Sequence, residues 1–329
     1  MTQTFYPITP VEVTPGTASS WQDVDVSSYI PSGSTGVILR VCNTGISSYN
    51  FGVRKNGSTD SPRPYFEPLT HCWAAIGVDD NRIFEAYVGN TTDIDLYLVG
   101  YTTSGVTFRT NEWSPTFGSN ETWVDLDCSS EVPSGAVGII FHNYAPFSVL
   151  MSLGLRKNGS TDDRHSPIDY NSCFGAIVGC DSSRIVEGWR ESIFLVVAVV
   201  GYISDGATFN TNATEETAES DGTWHDLSPA LPSGSVMGFI EVHLSMEASL
   251  GYGLRKNGSS EDMVYYANFH PYGFVECDSN RIIEGLKSEN PQTLIYFYLT
   301  GYALEELQIG ARFINIGRFG VTMFRAGRQ

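Results

Sequence analysis

The chain has 329 residues, 41% hydrophobic and 12% aromatic, enough apolar material to fill packed cores and too much for a disordered chain. Its 37 acidic and 19 basic residues leave a formal charge of −18, which argues against wrapping nucleic acid, because phosphate binding draws on clustered Lys and Arg. The longest apolar run, Ile193 to Val200, is eight residues, against the ~20 that a membrane-spanning helix needs.

The N-terminal segment "MTQTFYPITP" lacks a basic stretch followed by an apolar one, so no secretory signal is expected. A Thr-Phe pair at Phe5 opens the first strand, and Trp21-x-Asp23 follows. Next come Pro-Ser-Gly at Pro31 and a β-rich run from Gly36 to Val41. The stretch Arg54-Lys55-Asn56-Gly57-Ser58 ends a strand in Asn-Gly, the dipeptide that most readily turns a chain. Asp79-x-x-Arg82-Ile with Glu85 comes next, then a strand closing in Gly100-Tyr101.

The whole series returns twice. Thr-Phe recurs at Phe108 and Phe209, Trp-x-Asp at Trp123 and Trp224, and Pro-Ser-Gly at Pro133 and Pro232. Arg-Lys-Asn-Gly-Ser begins again at Arg156 and Arg255, spacings of 102 and 99. Asp-x-x-Arg-Ile with its Glu recurs at Asp181/Arg184/Glu187 and Asp278/Arg281/Glu284, and Gly-Tyr at Gly201 and Gly301. A step near one hundred is too long for a solenoid, whose units of about 20–50 residues cannot bury a core alone. Short runs rich in β-branched and aromatic residues, bounded by Gly, Pro, Asn and Ser, predict strands throughout and no long amphipathic helix. The expected fold is all-β: three tandem β-sandwich domains of jelly-roll type at 1–103, 104–204 and 205–303, following one another like beads, with a C-terminal extended tail at 304–329.

The polar motifs read as structure. The Asn-Gly turn is placed at the rim of each unit, with its Arg or Lys pairing the acid after the turn (Asp60, Asp162, Glu261). The Arg and Glu of Asp-x-x-Arg-Ile-x-Glu read as a fold-defining ion pair, and Trp21, Trp123 and Trp224 as core or inter-sheet anchors. No nucleophile elbow, phosphate-binding loop or zinc spacing occurs, so no catalytic residue, metal or cofactor is expected. Cys72 aligns with Cys173 and Cys180 with Cys277, while Cys42 and Cys128 stand alone. Buried free thiols are the reading. If a sugar is bound, the aromatic positions nearest Asp-x-x-Arg are the candidate ligand platforms: Trp73, Phe174 and Tyr272 before it, Tyr87 and Trp189 after it.

From Leu307 onward the chain holds four arginines and no acid, so this segment is +4 and residues 1–306 are −22. "ARFIN" resembles the openings of the second and third units. The segment reads as a docking strand for assembly, with Arg312, Phe313, Arg318, Phe319, Arg325 and Arg328 as its contact residues.

The repeat grammar over 1–303 resembles the tandem β-sandwich proteins of tailed-phage virions, which act as capsid decorations, fibres or host-adhesion elements. The resemblance implies a non-enzymatic virion surface protein, assembled in the host cytoplasm and acting outside the cell. It implies homo-oligomers, other virion proteins as partners through the tail, and a host-surface glycan as candidate ligand. A soluble carbohydrate-binding or adhesin protein working without a virion is the alternative, and a glycan hydrolase the third reading.

Overall fold

The computed structural model describes residues 3–145, 151–168, 173–216, 218–227, 231–244, 250–267, 270–288 and 295–305. The C-terminal segment, with Arg312, Phe313, Arg318, Phe319, Arg325 and Arg328, lies outside the described residues.

The described residues form 24 strands in six four-stranded antiparallel sheets, with no helix among them. The first repeat supplies β1 (Phe5–Glu12), β2 (Trp21–Asp25), β3 (Gly36–Asn43), β4 (Tyr49–Lys55), β5 (Tyr65–Phe66), β6 (Thr70–Gly77), β7 (Ile83–Val88) and β8 (Ile94–Thr102). They split between two sheets, ordered β1-β8-β3-β6 and β2-β7-β4-β5. The second repeat does the same with β9 (Val106–Trp113) to β16 (Val196–Ile203), and the third with β17 (Ala207–Glu216) to β24 (Ile295–Leu304).

The six sheets are arranged as a six-bladed β-propeller, which overturns the expected three tandem sandwiches. Each repeat contributes two blades whose strands interleave in sequence. The repeats are not beads: one continuous core runs through all three, from Phe5 through Phe108 to Phe239 and Phe274. A hundred residues do not bury their own apolar surface alone here. Instead, the opening strand of each repeat seats on the repeat before it, and β1 closes the ring by seating on the third.

The register shows how. Phe108 pairs with Gly201 and Phe209 with Gly301. Each ring then wedges into the preceding repeat between two glycines. A Cβ on Gly36 or Gly77 would lie 2.1 or 2.5 Å from Phe108, and one on Gly138 or Gly179 2.5 or 2.4 Å from Phe209. At the closing joint the same register puts Pro7 opposite Gly100, while Met237 and Glu276 stand where the sockets have glycine. Phe5 is therefore not the counterpart of Phe108, as the Thr-Phe match suggested. It pairs with Thr102, two residues off, and packs at 5.5 Å on Phe239.

The three openings meet at a pseudo-threefold axis. Thr4 Oγ1 donates to the Ser104 carbonyl at 3.3 Å. Added Cβ atoms on Gly105 and Gly206 would fall 2.6 and 2.3 Å from the same hydroxyl. The last described strand ends here too, with Leu304 N–H donating to the Gly206 carbonyl at 3.0 Å.

These joints predict a measurable asymmetry. Phe108→Ala should cost about 3–5 kcal/mol through the cavity it leaves, and Gly77→Ala about 1–3 kcal/mol through overpacking. Pro7→Phe should also destabilise, because Met237 and Glu276 fill its socket. Urea denaturation midpoints read all three, and a Gly77→Ala protein as stable as wild type would contradict the wedge.

Candidate functional site: the joints between repeats

The three motifs that the sequence repeats meet in one constellation per repeat. Strand β4 carries Arg54 next to its last residue, β2 begins with Trp21, and both flank β7, which carries Glu85. The Arg54 guanidinium lies 4.2 Å over the Trp21 ring and donates through Nε and Nη2 to Glu85 at 2.9 and 2.8 Å. Its Nη1 donates to the Asp60 carbonyl. Arg156 repeats this with Trp123 and Glu187, and Arg255 with Trp224 and Glu284. The Glu partner is thus the turn arginine, not the expected Arg82, Arg184 or Arg281. The tryptophans lie half-buried over the guanidinium rather than in the core, and their indole N–H groups donate to Ser61, Asp163 and Asp262.

The turn that follows is built for its glycine. Ser58 N–H donates to the Lys55 carbonyl, and Gly57 takes φ +80°, with +80° and +76° at Gly159 and Gly258. This fits a type II turn, where glycine stands third because L side chains are strained there. Asn56 donates at 2.8 Å to Asp79 Oδ2, while Asp79 Oδ1 accepts the N–H groups of Asn81 and Ile83. That cap holds Arg82 at φ +66°, an uncommon left-handed non-glycine residue. Asn158 with Asp181 and Asn257 with Asp278 repeat the tie.

The turn then grips the next repeat. At the first joint Lys55 donates to the Phe108 carbonyl, while Asn111 Oδ1 accepts from Ser58 Oγ at 3.0 Å and Thr59 N–H at 2.9 Å. At the second, Lys157 donates to the Phe209 carbonyl and Asn212 Oδ1 accepts from Ser160 and Thr161 at 3.0 and 2.8 Å. At the closing joint β1 has no such asparagine, and Lys256 turns to Glu276 at 2.6 Å. A cleft of about 320 Å³ opens there, lined by both sides of the joint, against about 20 Å³ at the second joint. At the first joint a cavity of about 30 Å³ lies between Phe51, Pro62 and His142, and an open depression of about 350 Å³ lies between Pro62, Tyr65 and Tyr144.

A second layer of charge crosses the joints. Arg40, His142 and Glu241 hold the same register position in β3, β11 (Gly138–Tyr144) and β19 (Ser235–Leu244). Arg40, 4% exposed, pairs with Glu261 of the third repeat at 2.9 Å. Glu241 accepts from Arg164 of the second repeat at 2.8 Å and meets His270 at 2.7 Å. Burial works against the Glu241 charge, but the hydrogen bonds and charges of His270 and Arg164 overcome it and hold the carboxyl at about 2. Burial pushes His142 and His243 down to about 4.

Of the five aromatic candidates, Trp73 and Tyr272 are each 2% exposed and share a register position in β6 and β22 (Tyr272–Glu276). The residue that matches them in β14 (Cys173–Gly179) is Gly175, so Phe174 is one place off and on the opposite face, as is the Cys72–Cys173 match. The Phe174 side chain lies outside the described residues. Tyr272 donates its hydroxyl to the Leu155 carbonyl across the second joint. Tyr87, 9% exposed, lies between the Trp21 edge and Arg63. Trp189 is half-buried, with His165 stacked on it at 3.8 Å.

Among the described residues one trio could offer metal ligands: Glu219, Asp221 and His225, with ligand atoms within 4.8 Å. Its Asp221 Oδ1 is already bonded to His225 and Thr223. The five cysteines whose side chains are described, Cys42, Cys72, Cys128, Cys180 and Cys277, are buried free thiols. The residues that sequence reasoning missed are Asn111, Asn212, Arg40, Glu241 and Arg164. The asparagines carry a signal, "TFRTN" and "TFNTN" against "TFYPI", but the charged residues differ at each joint and carry none.

No protein-family model and no curated protein matches the chain. Solved structures that resemble it include a chain of the Sulfolobus turreted icosahedral virus, at 11% identity and TM-score 0.24, covering 92% of each chain. Another is the N-terminal CBM22-1–CBM22-2 tandem of Paenibacillus barcinonensis Xyn10C, at 9% identity and TM-score 0.15, covering 55% of this chain and 82% of that one. At such scores neither likeness bears on function.

Arg156→Lys keeps the charge but loses the fork and leaves Glu187 poorly paired, and it should cost about 3 kcal/mol in thermal or urea unfolding. Acid should weaken the joints in two stages. His142 and His243 stay neutral when folded but protonate when unfolded, so stability should fall as pH drops from about 6.5 to 4. Glu241 has a lowered folded pKa, so its contribution is complete above its ordinary 4.5 and is lost from there towards 2. A Glu241→Gln protein should lose the second stage, and a pH-independent melting profile between 7 and 3 would contradict both.

Proposed function

We propose that the protein is a non-enzymatic structural component displayed on the surface of an assembled particle of the tailed-phage virion type, an acidic closed head carried by its basic C-terminal segment. One observation carries this reading. The three polar motifs that recur in every repeat are spent on each other, in the Trp–Arg–Glu stacks and their turn ties. A catalytic site needs unlike groups left free to act on a substrate, whereas these are committed to holding a rigid ring together.

Charge and geometry support the attachment mode. The body carries −22 and the segment from Leu307 +4, so the arginines are the part of the chain suited to contact an acidic neighbour. Strand β24 ends on the pseudo-threefold beside Thr4. A head with internal threefold symmetry suits a particle site of matching symmetry.

Deleting residues 307–329 should leave the head folded, with an unchanged melting temperature, while abolishing co-sedimentation with particles. Residual binding of the full chain should weaken with salt because exposed charges are screened. A truncated protein that still joins particles, or glycan turnover by the wild type, would overturn the proposal.

A further inference from the structure

We propose that the cleft at the closing joint is a binding site for an acetamido sugar, with the ligand's amide oxygen held by Ser259 and Ser260. The inference does not depend on the particle role, since it rests on the turn and the cleft beside it.

In the two sister joints an amide oxygen already sits at this place. Asn111 Oδ1 receives the Ser58 hydroxyl and the Thr59 N–H, and Asn212 Oδ1 receives the Ser160 hydroxyl and the Thr161 N–H. The third turn has the same geometry, with Gly258 at φ +76° and Ser259 N–H donating to the Lys256 carbonyl. Ser259 Oγ accepts from Glu261 N–H as its counterparts do from Asp60 and Asp162. Its own proton and the Ser260 N–H meet no acceptor among the described residues. β1 brings no amide side chain there, because it spans Pro7 to Val11 where β9 spans Phe108 to Trp113, one residue fewer, and carries Ile8, Thr9 and Pro10.

The shape favours a compact ligand over a strand. β1 already fills the strand position. The sister strands are also anchored through backbone N–H groups, Glu112 to Asp60 at 2.6 Å and Ala213 to Asp162 at 2.8 Å. At the closing joint the matching Glu261 is turned to Arg40 with both oxygens, at 2.9 and 3.3 Å. What remains is a pair of donors set for one amide oxygen, with Ser259 lining a cleft of about 320 Å³, within the ~300–1,000 Å³ of small-ligand sites. Ile8, Val99 and Phe274 line it for the acetamide methyl, and Lys256 with Glu276 offers a charged donor and acceptor for sugar hydroxyls.

Titration of the full chain with N-acetylglucosamine, followed by ligand-observed NMR and calorimetry, tests the site. Saturable binding is expected, at least about tenfold weaker for glucose, which lacks the amide, and for Ser259→Ala. Ser160→Ala, at a turn closed by Asn212, should bind as wild type. Thr9→Trp blocks the cleft without touching the turn and should abolish binding. Circular dichroism on each variant checks folding. Absence of saturable binding up to ~50 mM, equal affinity for glucose, or unchanged affinity in Ser259→Ala would overturn the site. Preferential binding of the peptide VTFRTNEW, the sequence of β9, would overturn the sugar assignment in favour of a strand.

Discussion

The arginine held between a tryptophan and a glutamate is the interaction on which the rest of this structure depends. A guanidinium has donors fixed in a plane, so one Arg54 can bind the Glu85 carboxylate with two nitrogens, the Asp60 carbonyl with a third, and still lay its face on Trp21. With the arginine and glutamate side chains 16% and 14% exposed, the pair is too buried for either member to be removed without leaving a costly charge behind. The Asp60 carbonyl contact fixes where the chain goes after the Asn-Gly turn. That in turn places Ser58 and Thr59, whose donors face the neighbouring repeat.

From the turn outward, the ring follows from a division of labour between polar and apolar contacts. Phe108 and Phe209 supply the burial, and they can do so only because Gly36, Gly77, Gly138 and Gly179 have no side chain. The asparagine locks add direction rather than much energy, since a net hydrogen bond is worth about 1 kcal/mol while an unmet buried donor costs more. Wedge and lock occur together at the two joints whose repeats are also joined by the chain. At the closing joint, both are replaced and an ion pair stands in their place.

Much of this was legible from the residues. The hundred-residue step, the all-strand character and the turn at Asn-Gly came from local signals, which survive in a single sequence. The closure did not, because it joins residues such as Arg40 and Glu261, 221 positions apart, with nothing local to mark the pair. Two alignments slipped for a physical reason: strands have period two, so the two-residue slip that matched Phe5 to Phe108 kept the face and left no sign in the pattern, whereas the one-residue slip that matched Phe174 to Trp73 reversed it. The tryptophans read as core because Trp is apolar, yet their partner is a cation whose face needs covering.

Three near-copies in one chain pose a problem of order, because any opening strand could in principle seat on any turn. The position held by Arg40, His142 and Glu241 addresses it. Glu241 meets Arg164 at the second joint, and seated on the third repeat it would instead face Glu261, like against like. Arg40 meets Glu261 at the closing joint, and on the second repeat it would compete with Arg164 for Asp162, the counterpart of Glu261. His142, kept neutral by burial, faces the first repeat, where Pro62 occupies the place of Arg164. Wrong pairings thus leave buried charges facing their like or competing for one partner, a penalty of the kind that separates partners whose shapes are nearly the same. The residues that break the threefold symmetry are also those that no repeat motif contains. The motifs describe what each repeat is, and these exceptions determine which neighbour it takes.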